Sequence, residues 1–95
     1  MSQSCQTWIT LPCRLGLHMR AACRFFQFVR RFQSEIKIKK GKFAADAKSI
    51  LGLLALGIAW KSKLSIEAKG HDAVEAVRAI EDYFRLPENC LDAQV

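Results

Sequence analysis

The sequence predicts an α+β fold: an open-faced β-sandwich, with a four-stranded antiparallel sheet covered on one face by three helices. Three observations carry this. Segments with two-residue apolar alternation and segments with three- and four-residue recurrence follow one another as strand, helix, strand, strand, helix, strand, helix. Alternating strands keep one face wet, so the sheet they form needs cover on one side only. The 95 residues, 51% hydrophobic and 25% charged, suit one domain over 1–95, with a core over about 5–85 and a loosely held tail over 86–95.

Cys5 to Leu11 reads as the first strand, because Thr7, Trp8, Ile9 and Thr10 are β-branched or aromatic, and Pro12 ends it. Arg14 to Leu17 is a loop containing Gly16. Met19 to Phe32 predicts an amphipathic helix whose apolar stripe is Ala22, Phe25, Phe26, Val29 and Phe32. Arg20 and Arg24 fall on its polar face, and Arg30 and Arg31 in its last turn, where cations suit the helix dipole. Glu35 to Lys39 alternates as a strand, Lys40-Gly41-Lys42 turns, and Phe43 to Ala45 returns to make a hairpin.

Asp46 is placed to cap a short helix over Ala47 to about Leu54, which Gly57 helps to stop. Lys61 to Ala68 is the fourth strand, with Leu64, Ile66 and Ala68 on one face. Asp72 to Phe84 is the last helix, with a stripe of Val74, Val77, Ile80 and Phe84. Asp72 and Glu75 have capping-box spacing at its start, and Pro87 follows its end.

The net charge of +6 favours an acidic partner: nucleic acid, an anionic membrane, a phosphorylated group or an acidic protein face. The most apolar run, Ile50 to Trp60, is far shorter than the roughly 20 residues that span a bilayer, so no membrane insertion is expected. Cys5, Cys13, Cys23 and Cys90 form no C-x-x-C pair, which gives metal binding or thioredoxin-like chemistry little support. Met1 to Cys13 lacks the pattern of a signal peptide, so a reducing cytoplasm is expected, with Cys23 as a small buried hydrophobe. No metal and no cofactor are expected.

The segment Gly16-Leu17-His18-Met19-Arg20 can carry chemistry. A loop glycine leads into a histidine at the start of a helix, where exposed N–H groups and the helix dipole favour an anion. Arg20 adds a guanidinium suited to phosphate oxygens, and a histidine that is largely uncharged near neutral pH is a competent nucleophile. Read on spacing alone, a single His near a single Arg is a weak signal, and His18 reads first as a helix-capping or surface histidine. His71 has no such neighbour and reads as a surface loop residue.

The stretch Leu15 to Val29, L-G-L-H-M-R-A-A-C-R-F-F-Q-F-V, resembles the active-site region of the HPr family, the histidine phosphocarriers of the phosphoenolpyruvate-dependent sugar phosphotransferase system. Gly16, Leu17, His18, Arg20 and Ala22 match that family's pattern, Gly-Leu-His-x-Arg-Pro-Ala-Ala. A second stretch, Ala47-Lys48-Ser49-Ile50-Leu51-Gly52-Leu53-Leu54-Ala55-Leu56, is similar to the family's regulatory serine region, and the likeness runs from about Thr7 to Phe84.

The resemblance implies phosphorylation of His18 through Nδ1, with the phosphoryl group stabilised by Arg20 and by the Gly16, Met19, Arg20 and Ala21 neighbourhood. It implies enzyme I as donor, enzyme II components (their A units) as acceptors, and Ser49 as a substrate of an HPr kinase/phosphorylase. The chain would then be a phosphoryl carrier with a phosphohistidine intermediate rather than a turnover enzyme, and a monomer is expected. The sequence departs from the family where Ala21 replaces the proline after the arginine, returning one backbone N–H, and where Leu15 stands before Gly16 in a usually polar place.

Ile50, Leu51 and Leu54 cannot all face the core together with Leu53. The resemblance implies that they dock partners, inside a basic rim of Arg20, Arg24, Arg30 and Lys48. A phosphate on Ser49 would add about two negative charges to that rim, making the serine an off-switch. Two other readings stay open. One is a regulatory relative whose output is the state of Ser49. The other is a basic nucleic-acid module using the Lys37 to Lys42 hairpin, although RNP-like aromatics, a helix-turn-helix pattern and zinc ligands are all missing, so no nucleic acid is expected.

Overall fold

The computed structural model describes residues 3–90, without the Pro87 side chain. Its elements are β1 (Gln3–Thr10), α1 (Met19–Val29), β2 (Glu35–Lys40), β3 (Phe43–Asp46), α2 (Ile50–Ala55), β4 (Lys63–Gly70) and α3 (Ala73–Arg85), then a 3-10 turn at Pro87–Cys90. The four strands form one antiparallel sheet in the order β1-β4-β2-β3, with Thr7 opposite Ile66 and Ile38 opposite Ile66 from the other side. This is the open-faced sandwich expected from the alternation.

The period-two pattern decides which side of the sheet is dry. Ile36, Ile38, Leu64, Ile66 and Ala68 are buried under the helices, whereas Lys37 and Lys39 lie on the open face. Ser65 also points to the open side yet is buried, because β4 is central and Gln6 of β1 covers it, donating to its Oγ at 3.0 Å. Two lysines of the β2–β3 hairpin are engaged within the chain. Lys39 pairs with Glu67 at 3.0 Å, and Lys40 Nζ donates to the carbonyl of Gly57 at 2.8 Å.

Phe25 of α1 centres the helical side, with its ring 5.5 Å from that of Tyr83 and 5.2 Å from that of Phe84 on α3. The α3 stripe is Ala73, Ala76, Val77, Ile80, Tyr83 and Phe84. Val74, expected in it, is only half-buried, because the helix is rotated so that Ala73 and Ala76 face the core in its place. Likewise α1 stops at Val29, so Arg30 is its C-cap and Arg31 lies beyond it rather than in the last turn. The chain turns there because Phe32 must reach the core. Its N–H returns to the Val29 carbonyl at 3.1 Å, while Phe26 is left half-exposed under the Arg30 guanidinium. Cys23 is half-buried, not fully buried as its helical position suggested.

Asp72 immediately precedes α3 but does not cap it with its side chain. Its carboxylate instead accepts from the N–H groups of Gln33 and Ser34, both at 2.9 Å, and from Ser34 Oγ at 2.5 Å. The Ser34 hydroxyl, followed by the Gln33 N–H, holds the Asp72 carboxyl below the usual carboxylate range. The residue therefore fastens the α1–β2 connection to the start of α3, a contact across 38 residues that capping-box spacing does not reveal.

The region after α3 also departs from expectation. Within 86–90 the chain is held: Asn89 and Cys90 are buried, and Cys90 is disulfide-bonded to Cys13 across 77 residues, with the Cα atoms 5.1 Å apart. In the chain-entropy account a closure of that span stabilises the fold by about 4 kcal/mol. The rest of the expected tail, 91–95, lies outside the described residues.

Candidate functional site: two capped helix starts

The first site is built on the loop from β1 to α1. Gly16 has φ +73°, and a Cβ there would stand 2.7 Å from the Ile58 carbonyl oxygen, so a side chain is excluded both by conformation and by space. This close approach lets Leu17 N–H reach the Ile58 carbonyl at 2.9 Å, while Gly16 N–H donates to the Cys13 carbonyl at 2.9 Å. Leu17 is buried, and the next residue is thereby presented at the surface edge.

That residue, His18, is the N-cap of α1. It has extended backbone, its carbonyl accepts the Ala22 N–H at 2.8 Å, and its Nδ1 accepts the Ala21 N–H in a long bond of 3.4 Å. An acceptor nitrogen carries a lone pair, which puts the proton of the neutral ring on Nε2. Nε2 is buried with no hydrogen-bond partner. The Nδ1 lone pair therefore faces the helix start, where the N–H groups of Met19, Arg20 and Ala21 precede the first intrahelical bond.

Met19 and Arg20 are exposed, and Ala21 is buried. Ala21 belongs to the cap itself, since its N–H is the donor that a proline at this position would lack. Apolar surface flanks the loop: Leu15 is 65% exposed and Met19 62%, and Trp60 lies just beyond the Ile58–Ala59 backbone against which Gly16 packs. Lys61 Nζ stands 4.5 Å from the Trp60 ring and the Arg14 guanidinium 5.8 Å from it. Trp60 was not singled out from the sequence. Its signal was an aromatic residue in the connection between α2 and β4, away from either apolar period.

The second site is the start of α2. Ser49 is its N-cap, and Ser49 Oγ accepts the Gly52 N–H at 3.1 Å. Asp46, expected to cap this helix, ends β3 and accepts the Lys48 N–H at 2.8 Å, closing the turn before the helix. The helix is also shorter than expected, because Ala47 is fully buried under the sheet and its N–H is bonded to the Ile36 carbonyl at 2.9 Å. Leu53 faces the core at 0% exposure and Leu51 faces solvent at 80%, with Ile50 and Leu54 between them.

Of the expected basic rim, Arg20 is exposed on α1. Arg24 Nε donates to Asn89 Oδ1 at 3.2 Å, and Lys48 Nζ donates to the Phe32 carbonyl at 2.6 Å, satisfying the chain just past α1. Arg24 also acts on Tyr83: burial pushes the Tyr83 phenol up, and the guanidinium charge pulls the other way. His71 is exposed, as expected. Among the described residues no group of His, Cys, Asp and Glu has the arrangement of a metal site, and no helix is long and apolar enough to cross a membrane.

The fold and these two starts define a class: an open-faced sandwich whose first helix opens on a capping histidine and whose second opens on a capping serine. Residues 5–85 match the family model described as the PTS HPr component phosphorylation site, and the chain belongs to that family of phosphotransferase-system phosphocarriers. It is 39% identical over 69 residues to phosphocarrier protein HPr of Neisseria meningitidis serogroup A, covering 73% of this chain and 78% of that one. It is 38% identical over 72 residues to the HPr-like protein Crh of Halalkalibacterium halodurans, covering 76% and 86%. The crystal structure of a phosphocarrier protein HPr from Bacillus anthracis superposes with TM-score 0.81 at 34% identity, covering 85% of this chain and 96% of that one.

Proposed function

We propose that the chain is a cytoplasmic phosphocarrier. It accepts a phosphoryl group on His18 Nδ1 from phospho-enzyme I and passes it to enzyme II components of the sugar phosphotransferase system. The observation that carries this reading is the direction of the His18 Nδ1 lone pair, toward the N–H groups that open α1. In the first transfer that lone pair attacks phosphorus, the new N–P bond forms, and the bond to the donor breaks with its electron pair leaving on the donor. The proton on Nε2 stays where it is. The phosphoryl oxygens then meet the backbone N–H groups and dipole of α1, with Arg20 as the adjacent cation. The second transfer reverses these bond changes onto the acceptor, and the carrier returns unchanged, a relay without a small-molecule substrate of its own.

In this reading Leu51, Ile50 and Leu54 on α2, together with the cations Arg24 and Lys48, are the residues that dock acidic partner proteins, and the chain works as a monomer. A regulatory role for Ser49 is supported by its place as the cap of α2 next to the most exposed leucine among the described residues, and by the similarity to Crh, the catabolite repression HPr of Bacillus subtilis. Its phosphate, made by an ATP-dependent HPr kinase/phosphorylase, would put negative charge where an acidic partner docks.

The test is intact mass after incubation with phosphoenolpyruvate and enzyme I. The carrier reading expects one added phosphoryl group that acid removes and that His18→Ala abolishes. Labelling that survives His18→Ala sinks it. Acid-stable phosphorylation of Ser49 by ATP and the kinase, with no labelling of His18, would establish the regulatory reading in its place.

A further inference from the structure

Cys13 and Cys90 come from the two ends of the described chain. Cys13 lies in the loop that leads into the first site, its carbonyl bonded to the Gly16 N–H. Cys90 ends the 3-10 turn, and that turn rests on α1 through Asn89. Asn89 Oδ1 accepts from Arg24 Nε at 3.2 Å, and its Nδ2 donates to the Tyr83 carbonyl at 2.8 Å. One disulfide thus ties the loop before His18 to the segment that occupies Arg24.

We propose that Cys13 and Cys90 are a site of reversible thiol–disulfide modification, and that its state sets whether the 87–90 turn is clamped on α1 over Arg24. The consequence for docking, and the reducing compartment that makes the bond reversible, rest on the phosphocarrier reading; the pairing of the two cysteines does not. Three observations carry the proposal. The pairing is selective, since Cys5 and Cys23 stay free while both bonded cysteines are buried. The clamped element is a four-residue 3-10 turn at the end of the fold, a kind of element that opens more readily than core helices and strands. And in the reducing compartment where a phosphocarrier works, a disulfide is a transient, redox-responsive bond rather than a permanent staple.

The oxidant is a low-molecular-weight disulfide of the glutathione type. With the turn open, the thiolate of one cysteine attacks a sulfur of that disulfide, breaking its S–S bond and releasing one small thiolate. The thiolate of the second cysteine attacks the protein sulfur of the mixed disulfide, forming the Cys13–Cys90 bond and releasing the other. Two protein thiols lose two electrons and two protons, and one small disulfide becomes two thiols. Excess small thiol drives the reverse. In the oxidised state Asn89 stays at Arg24; in the reduced state the covalent tie is gone, the turn opens more often, and each opening breaks the Asn89 bond and releases Arg24 to an acidic partner.

The full chain is equilibrated across ratios of glutathione to glutathione disulfide and its free thiols alkylated. The Cys13–Cys90 linkage is then read by non-reducing peptide mapping, and trypsin cleavage after Arg85 is timed in each state. The expected result is one reversible transition with Cys5 and Cys23 alkylated throughout. Cleavage is about tenfold faster in the reduced state, a rate that Cys90→Ser shows at every ratio. With enzyme I limiting, the reduced form gains phosphate on His18 about threefold faster, and Asn89→Ala brings the oxidised form to the same rate. No linkage at any ratio, a linkage that excess glutathione cannot reopen, equal cleavage in the two states, or equal phosphorylation rates would each overturn the proposal. Absence of His18 labelling in both states would overturn the phosphocarrier reading, and the linkage and cleavage measurements would still decide on the switch itself.

Discussion

The starts of α1 and α2 use the same device with different consequences. In each, a side chain outside the helix accepts an N–H three residues on: His18 Nδ1 from Ala21 at 3.4 Å and Ser49 Oγ from Gly52 at 3.1 Å. Behind His18 stands an eleven-residue helix whose Ala22, Phe25 and Val29 are locked in the core, so the ring is presented from a rigid base. Behind Ser49 stands a six-residue helix anchored by Leu53 with Leu51 in solvent. A cap on a long, well-packed helix can carry a nucleophile in fixed geometry. A cap on a short helix with one buried anchor is suited to a switch, because little packing has to change when its charge changes.

The largest effect that would break this comparison lies in the anchors. Phe25→Ala is expected to destabilise the fold by about 3–5 kcal/mol and Leu53→Ala by about 2–5 kcal/mol, whereas Leu51→Ala should stay within about 0.5 kcal/mol. Urea unfolding monitored by circular dichroism reads all three. A Leu51→Ala loss as large as that of Leu53→Ala would mean that α2 is packed on both faces.

A smaller effect is expected at the third helix start, whose Asp72 serves another element instead of its own helix. Asp72→Asn should cost about 1 kcal/mol at neutral pH, since its bonds to Gln33 and Ser34 are charge-assisted but lie close to solvent. The folded-state pKa of Asp72 is lowered, so its contribution is present above the unfolded value of 3.8 and is lost as pH falls through the lower folded value. The stability gap between wild type and Asp72→Asn should therefore close below about pH 3.8 in a pH series of urea midpoints. A constant gap would locate the effect in packing.

The smallest effects sharpen the comparison of the caps. Ser49→Ala should cost about 1 kcal/mol and leave phosphorylation of His18 by enzyme I unchanged. Ala21→Pro removes only the N–H donated to His18 and fits a helix first turn, so it should cost under about 1 kcal/mol and keep the labelling. Thermal melts and the intact-mass assay read both. Loss of labelling in Ala21→Pro would make that one N–H part of the transfer itself.

Much of this was legible in the sequence because its signals are local. The alternation at Ile36 and Ile38, the recurrence of Ala22, Phe25 and Val29, and a glycine and histidine before a helix each lie within a few residues of one another. The helix ends were harder. Asp46 and Ser49 are both good N-cap residues three positions apart, and only the bond from the Ala47 N–H to the Ile36 carbonyl, across to β2, gives the role to Ser49. Val74 was expected inward as part of a stripe with Val77, Ile80 and Phe84, but the rotation of α3 on the sheet turns Ala73 and Ala76 to the core instead.

By itself the sequence determined the kinds of element, their order, the sheet that needs cover on one side, and a histidine at a helix start, since periodicity and capping are properties of neighbouring residues. Tertiary structure alone decided that Cys13 meets Cys90, that Asp72 holds Gln33 and Ser34, and that Asn89 holds Arg24. These contacts span 77, 39, 38 and 65 residues, and no local pattern encodes which distant groups arrive together when a sheet and three helices close on one core.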